Sequence, residues 1–334
     1  MKPAPSDDHD LAERLRSYLS ERHGQPVEVT RLSRLPGGAS RETWAFDAIL
    51  AGTTLPLILR RDPPGRPSAR DCANEAQLLQ AAMRAGVPVP TARWGESTGE
   101  PLGAPFIVME RVEGETIPRR ILREETLAAA RDNLVGQCGT ALAHIHAAPL
   151  DRLDFLGAPQ SPQQLVETQL SMLASLGEPH PVFELALRWL RSRLPSSREP
   201  ALVHGDFRVG NLIVGREGLR AVLDWELAHV GDPAEDLGWF CVRAWRFGND
   251  GRPAGGMGTR EELVEAYVAA GGTPPAPGDL RFWEVYGTLR WGIMCILQAS
   301  FHLSGATRSV ELAAIGRRAC EMEWALLDLI EGRG

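Results

Sequence analysis

Between Ala201 and Phe240 the chain reads ALVHGDFRVGNLIVGREGLRAVLDWELAHVGDPAEDLGWF. Short β-rich runs, Leu202-Val203, Leu212-Ile213-Val214 and Ala221-Val222-Leu223, enclose a polar turn at His204-Gly205-Asp206 and a hairpin turn from Gly215 to Gly218. Three side-chain oxygens, those of Asp206, Asn211 and Asp224, therefore fall at strand ends or in the loop between strands. A rigid pair of strands can aim them at one point. Asp and Asn oxygens suit a hard cation such as Mg²⁺, which keeps waters and uses few protein ligands.

A loop Asp, an Asn five residues later and a second Asp beyond a hairpin is the arrangement of kinase phosphoryl-transfer sites. There the loop Asp accepts the proton of the acceptor hydroxyl, and the other two residues hold the metal ions that bridge the phosphates. The present loop reads HGD where protein kinases read HRD, and the second Asp opens DWE where they read DFG. These replacements resemble the aminoglycoside phosphotransferase and choline kinase superfamily of small-molecule kinases. The longer string LDWELAHVGDPAEDLGW resembles one branch, the phosphotransferase-like domains found beside, or fused to, acyl-CoA dehydrogenases.

The resemblance runs from about Arg31 to Glu331. It implies an α+β, protein-kinase-like bilobal fold. An N-terminal nucleotide-binding lobe (residues 1–110) has a small antiparallel β-sheet with one main helix, and a hinge lies at about 110–114. A larger, mostly helical C-terminal lobe (115–334) carries catalysis and acceptor binding. The implied cofactors are ATP and Mg²⁺, with Asp206 as catalytic base and Asn211 and Asp224 as metal ligands. Asp236 resembles the family's buried carboxylate that braces the catalytic loop through backbone amides.

Charge and cysteine usage narrow the partners. The net charge is −7 with no basic block, which excludes nucleic acid or an anionic membrane as an expected partner. The start, MKPAPSDDHDLAERL, has no apolar signal region, and Leu289 to Leu303 is interrupted by Arg290, Gln298 and His302, too short and polar to span a bilayer. The five cysteines (72, 138, 241, 295 and 320) contain no C-x-x-C, which points away from zinc or disulfides and towards a reducing cytoplasm.

Lys2 is the only lysine; the other 35 basic residues are arginines. A Walker-type G-x-x-x-x-G-K-[ST] loop is therefore impossible. In kinases the strand at Pro56–Arg61 carries the phosphate-binding lysine, paired with a helix glutamate. This chain offers Arg60 there, with Glu75 of a helix over Ala69–Ala85 as its partner, and strand alternation turns Arg61 to the surface. The branch carries L-R-[RK]-x-P-P-G at this place, matching Leu59 to Gly65. Gly37, Gly38, Ala39 and Ser40 lie between two strand-like segments, as in a phosphate-covering hairpin whose backbone amides approach anionic oxygens. Backbone groups at Glu110 and Val112 are the expected adenine contacts.

The second lobe reads as helices over Leu127–Ala147, Gln163–Ser175, Val182–Leu194, Arg260–Ala270, Asp279–Leu303 and Val310–Ile330. Arg246 to Gly258 reads as a mobile Gly-rich segment. Trp283, Tyr286, Trp291 and Phe301 are candidate acceptor-pocket walls, although aromatics at this spacing also suit a core. The leading expectation is an ATP- and Mg²⁺-dependent kinase of a small-molecule hydroxyl, on a hydroxyacyl-CoA or an aminoglycoside-like compound. The alternatives are a metal-dependent hydrolase using His204, Asp206, Asp224 and His229, and a non-catalytic nucleotide or acyl-CoA binding module.

Overall fold

A computed structural model describes residues 5–35, 41–63, 71–196 and 198–333. The chain divides into two compact units: residues 1–84, 88–113 and 151–155 form one, and residues 85–87, 114–150 and 156–334 the other.

In the first unit, α1 (Pro5–His23) precedes β1 (Val27–Arg34), β2 (Glu42–Leu50) and β3 (Thr53–Arg61); α2 (Cys72–Arg84), β4 (Ala92–Glu96) and β5 (Phe106–Glu110) follow. The strands form one antiparallel sheet in the order β1-β2-β3-β5-β4. β2 and β3 are joined at Ala51-Gly52, whose φ values of 48° and 81° give the left-handed pair of a type I′ hairpin. Alternation then sorts the side chains. Trp44, Phe46, Leu57, Leu59, Phe106 and Val108 share a core with Leu11, Leu15, Tyr18 and Leu19 of α1. The opposite face of the sheet is left for α2. Each buried leucine of α1 is worth about 1.5–3 kcal/mol. Thus α1 helps to build the core. On α2, Ala76, Leu79 and Ala82 are buried together with Glu75, and Met83 is 43% exposed.

The second unit begins with α3 (Pro118–Arg123), α4 (Ala128–His146), α5 (Pro162–Ser175) and α6 (Pro181–Arg191). Then come the short strands β6 (Ala201–Val203), β7 (Leu212–Gly215), β8 (Gly218–Val222) and β9 (His229–Gly231). β7 pairs with β8 as the expected hairpin, and β6 with β9. The remaining helices are α7 (Ala234–Cys241), α8 (Arg260–Ala269), α9 (Asp279–Leu303), α10 (Val310–Gly316) and α11 (Ala319–Glu331). The single last helix expected over Val310–Ile330 is broken at Arg317-Arg318. A Cβ on Gly238 would stand 2.4 Å from the Cβ of Trp283, so only glycine lets α7 approach α9 this closely.

Arg246 to Gly258 is pinned rather than loose. Arg246 donates to the Cys241 carbonyl at 2.9 Å and to Glu284 at 2.6 Å, and Arg260 shares the buried Glu284 carboxylate at 2.8 Å. Trp283 and Tyr286 lie in the core of this unit with Trp291 packed against it, whereas Phe301 is 53% exposed. Cys72, Cys138, Cys241 and Cys295 are buried free thiols and Cys320 is an exposed one. Among the described residues no helix is long and apolar enough to cross a membrane.

Candidate active site

In the first unit the register decides which arginine meets Glu75. Arg60 faces Thr43 and Ile107 across the sheet, one position out of step with Leu59 and so on the α2 face. Its Nη1 lies 2.6 Å from Glu75 Oε1. A second arginine, missed in the sequence, shares that carboxylate: Arg41 contacts Glu75 Oε2, and its Nε donates to Asp62 at 2.7 Å. Arg41 and Glu75 are sealed from solvent, while the Arg60 side chain keeps 18% exposure. Arg61 is not the surface residue expected. The α1 face is covered too, so it donates to the Leu102 carbonyl at 3.1 Å and pairs with Glu42 at 2.8 Å. Gly37, Gly38, Ala39 and Ser40 lie outside the described residues.

Glu110 ends β5, and its side chain pairs with Arg93. The backbone N–H of Glu110 is already given to the Thr91 carbonyl at 3.0 Å. The Glu110 amide is thus engaged within the sheet edge. Val112 follows in the half-buried segment after the strand.

In the second unit the catalytic-loop candidates are gripped from α7. Asp236 is fully buried; Oδ2 accepts the His204 N–H at 2.7 Å and Oδ1 the Gly205 N–H at 2.9 Å. Burial by itself would raise this carboxyl, but the hydrogen bond and charge of His146, followed by His204, hold it below its ordinary value. His146 lies 3.2 Å from Asp236 and 2.9 Å from the Tyr267 hydroxyl, which gives it a structural role. Gly205 has φ +77°, and a Cβ there would fall 2.4 Å from the Leu227 carbonyl oxygen. Two carboxylate bonds and one sterically obligatory glycine thus set the path of the loop.

Asp206 leaves that loop half-buried. Its carboxylate accepts from Asn211 Nδ2 at 2.7 Å, Arg208 Nε at 3.0 and 3.2 Å, and Trp239 Nε1 at 3.0 Å. Asn211 Nδ2 also reaches the Asp206 carbonyl at 2.9 Å. Both Asn211 N–H bonds point towards Asp206, so its Oδ1 is turned away from it. The Leu223 N–H donates to the Asn211 carbonyl at 2.8 Å, which ties the residue before Asp224 to the Asn211 turn. Asp224 has φ +65°, a left-handed conformation costing on the order of 1–3 kcal/mol for a non-glycine residue. An amide oxygen and a carboxylate are hard donors, few in number, as Mg²⁺ requires.

The hydrolase alternative loses its histidines. His204 is buried; its Nε2–H donates to the Leu223 carbonyl at 3.0 Å and its Nδ1 accepts the Asp206 N–H at 3.2 Å. Burial holds it below the ordinary imidazole value, in the neutral form those two bonds require. His229 is engaged by Glu235 at 3.1 Å and by the Leu227 carbonyl at 3.0 Å. Among the described residues no group of three or more His, Cys, Asp or Glu could hold a metal by itself. Arg208, Trp239 and Arg290 also went unnoticed in the sequence. The available signal for Trp239 was its place three residues after Asp236, one helical turn along α7.

A model of the phosphotransferase enzyme family matches residues 31–283. Acyl-CoA dehydrogenase family member 10 of Mus musculus is 29% identical over 80% of this chain and 27% of its own length. Viomycin phosphotransferase of Streptomyces vinaceus is 28% identical over 75% of this chain and 84% of its own. The chain spans 24% to 38% of the length of the acyl-CoA dehydrogenase relatives it matches. Among solved structures, a Ralstonia eutropha protein assigned as an aminoglycoside phosphotransferase has the same fold. Its TM-score is 0.76, with 21% identity over 96% of this chain and 98% of that one.

Proposed function

The chain belongs to the phosphotransferase enzyme family, and from that premise we propose that it transfers the γ-phosphate of ATP to a hydroxyl of a small molecule, with Mg²⁺. The observation that carries the reading is the single connected turn in which Asn211 bonds both the carbonyl and the carboxylate of Asp206 and, through Leu223, fixes the approach to Asp224.

Asp206 takes the acceptor's proton as the oxygen–phosphorus bond forms and the bond to ADP breaks. Asn211 Oδ1 and the Asp224 carboxylate would hold Mg²⁺, which would supply positive charge against the phosphates. Arg60, steadied by Glu75, supplies the cation for the α- and β-phosphates that a lysine supplies in other kinases. Phosphoryl transfer is mainly positioning and charge stabilisation, so a fixed guanidinium can serve. Two acceptor classes are proposed, hydroxyacyl-CoA thioesters, after the acyl-CoA dehydrogenase relatives, and hydroxylated antibiotics, after viomycin phosphotransferase.

ATP consumption measured across both classes, with and without Mg²⁺, tests the reading. Asp206→Asn should lower kcat by about 10²–10⁴-fold with ATP binding retained, and Asp224→Ala should abolish Mg²⁺-dependent turnover in a protein that still folds. Wild-type turnover by either variant would refute the assignment.

A further inference from the structure

Both oxygens of the Asp206 carboxylate are engaged on two sides, so a contact has to open when it receives a hydroxyl. A carboxylate has about four lone-pair sites. Three N–H groups take them up: Arg208 Nε–H is shared between both oxygens, Asn211 donates to Oδ2 and Trp239 to Oδ1. The shared Arg208 contact is the one that can open a site. Asn211 is tied to the backbone of Asp206 as well as to its side chain. Arg208 is different: its side chain is 28% exposed, and its guanidinium rests on the face of Trp245 at 5.0 Å, a contact of modest strength.

Trp239 cannot move in that way. It is 2% exposed, its ring lies 5.2 Å from that of Trp245, and the Arg290 guanidinium covers its face at 4.8 Å. Arg290 in turn donates to the Gly205 carbonyl at 3.2 Å, so the indole is clamped by the loop it serves. Its N–H is also aimed. The buried indole N–H groups of Trp44, Trp245 and Trp291 find no acceptor, whereas that of Trp239 meets a carboxylate.

We propose that Trp239 is a positioning residue for phosphoryl transfer: its N–H fixes Asp206 Oδ1 while Arg208 swings aside to admit the acceptor hydroxyl. A neutral, donor-only group suits this task, because it orients the base without adding a charge beside it. The proposal rests on the reading of Asp206 as the base.

The test replaces Trp239 with 3-benzothienylalanine, which keeps the ring shape and exchanges N–H for sulfur, alongside Trp239→Phe. The probe is Mg²⁺·ATP with water as acceptor, and the full chain is used. The benzothienyl enzyme should lose about tenfold or more in kcat with KM for ATP unchanged. In a ¹⁵N-indole spectrum the signal missing from Trp239→Phe should move in Asp206→Asn. A benzothienyl enzyme with wild-type kcat, or a Trp239 signal indifferent to Asp206→Asn, overturns the proposal. If Asp206→Asn itself keeps full kcat, the base assignment fails and takes the proposal with it. Loss in Asp206→Asn with wild-type kcat in the benzothienyl enzyme removes Trp239 alone.

Discussion

Replacing Asp236 by alanine removes the acceptor of two buried backbone N–H groups, those of His204 and Gly205, at 2.7 and 2.9 Å. Hydrogen bonds to a charged group contribute about 1.5–3 kcal/mol each, and the orphaned donors stay buried because His204 has no exposed surface. The expected loss is therefore on the order of 3–6 kcal/mol, a large part of the ~5–15 kcal/mol of a typical native protein. His146 loses one of its two partners in the same step and keeps the Tyr267 hydroxyl. Asp236→Asn should fall between wild type and alanine, because the amide oxygen can serve one N–H while the amide nitrogen opposes the other. Urea unfolding followed by circular dichroism gives the difference by linear extrapolation. ATP turnover should fall further than the folded fraction, since the loop bearing Asp206 loses its brace. An alanine variant within about 0.5 kcal/mol of wild type would refute the argument that these two bonds hold the loop.

The other expectations concern arginine and pH. Arg60→Lys should weaken ATP binding and turnover although charge is kept, because the shorter, unforked group cannot hold Glu75 and a phosphate together; equal KM for ATP in the two enzymes would show the fork to be unnecessary. Arg61→Ala should lower the melting temperature with KM for ATP unchanged, since Arg61 ties Glu42 and the Leu102 carbonyl rather than a ligand; an unchanged melting temperature would make those ties idle. His204 is held below its ordinary 6.5 by burial, so its contribution is present above that value and is lost as pH falls through the folded value. Denaturation midpoints should therefore decline on acidification below about 6.5, and His204→Gln should flatten that slope; a slope the variant leaves unchanged would assign the decline elsewhere.

The parts of the site that the sequence made legible are those set by local spacing. Asp206, Asn211 and Asp224 could be placed because two-residue periodicity and a Gly-flanked hairpin fix where strands end. Arg60 could be told from Arg61 because alternation assigns opposite faces. Alternation did not say what covers the second face, so α1 and the burial of Arg61 came from packing alone. Arg41 was missed because no periodic pattern marks a residue at a strand's edge, and its partners lie 21 and 34 positions away. The Gly-rich run after Arg246 was misread because composition reports backbone freedom and not the Glu284 carboxylate that anchors it. Trp239 faced the same limit: helical spacing placed it beside Asp236, but only the fold aims its N–H.

The glycine before Asp206 also bears on how such a loop can change by descent. A side chain at Gly205 would run into the Leu227 carbonyl at 2.4 Å, on a backbone already at φ +77°. Exchanging HGD for HRD in this chain is thus closed as a single-codon step. The segment from Asp224 to Ala228 would have to be rerouted first, and that segment carries a metal-ligand candidate. The two loop types are separated by a change in that neighbouring turn, which has to precede the arginine. A lineage holding either one is kept there by the shape of a neighbouring turn, whatever the acceptor it phosphorylates.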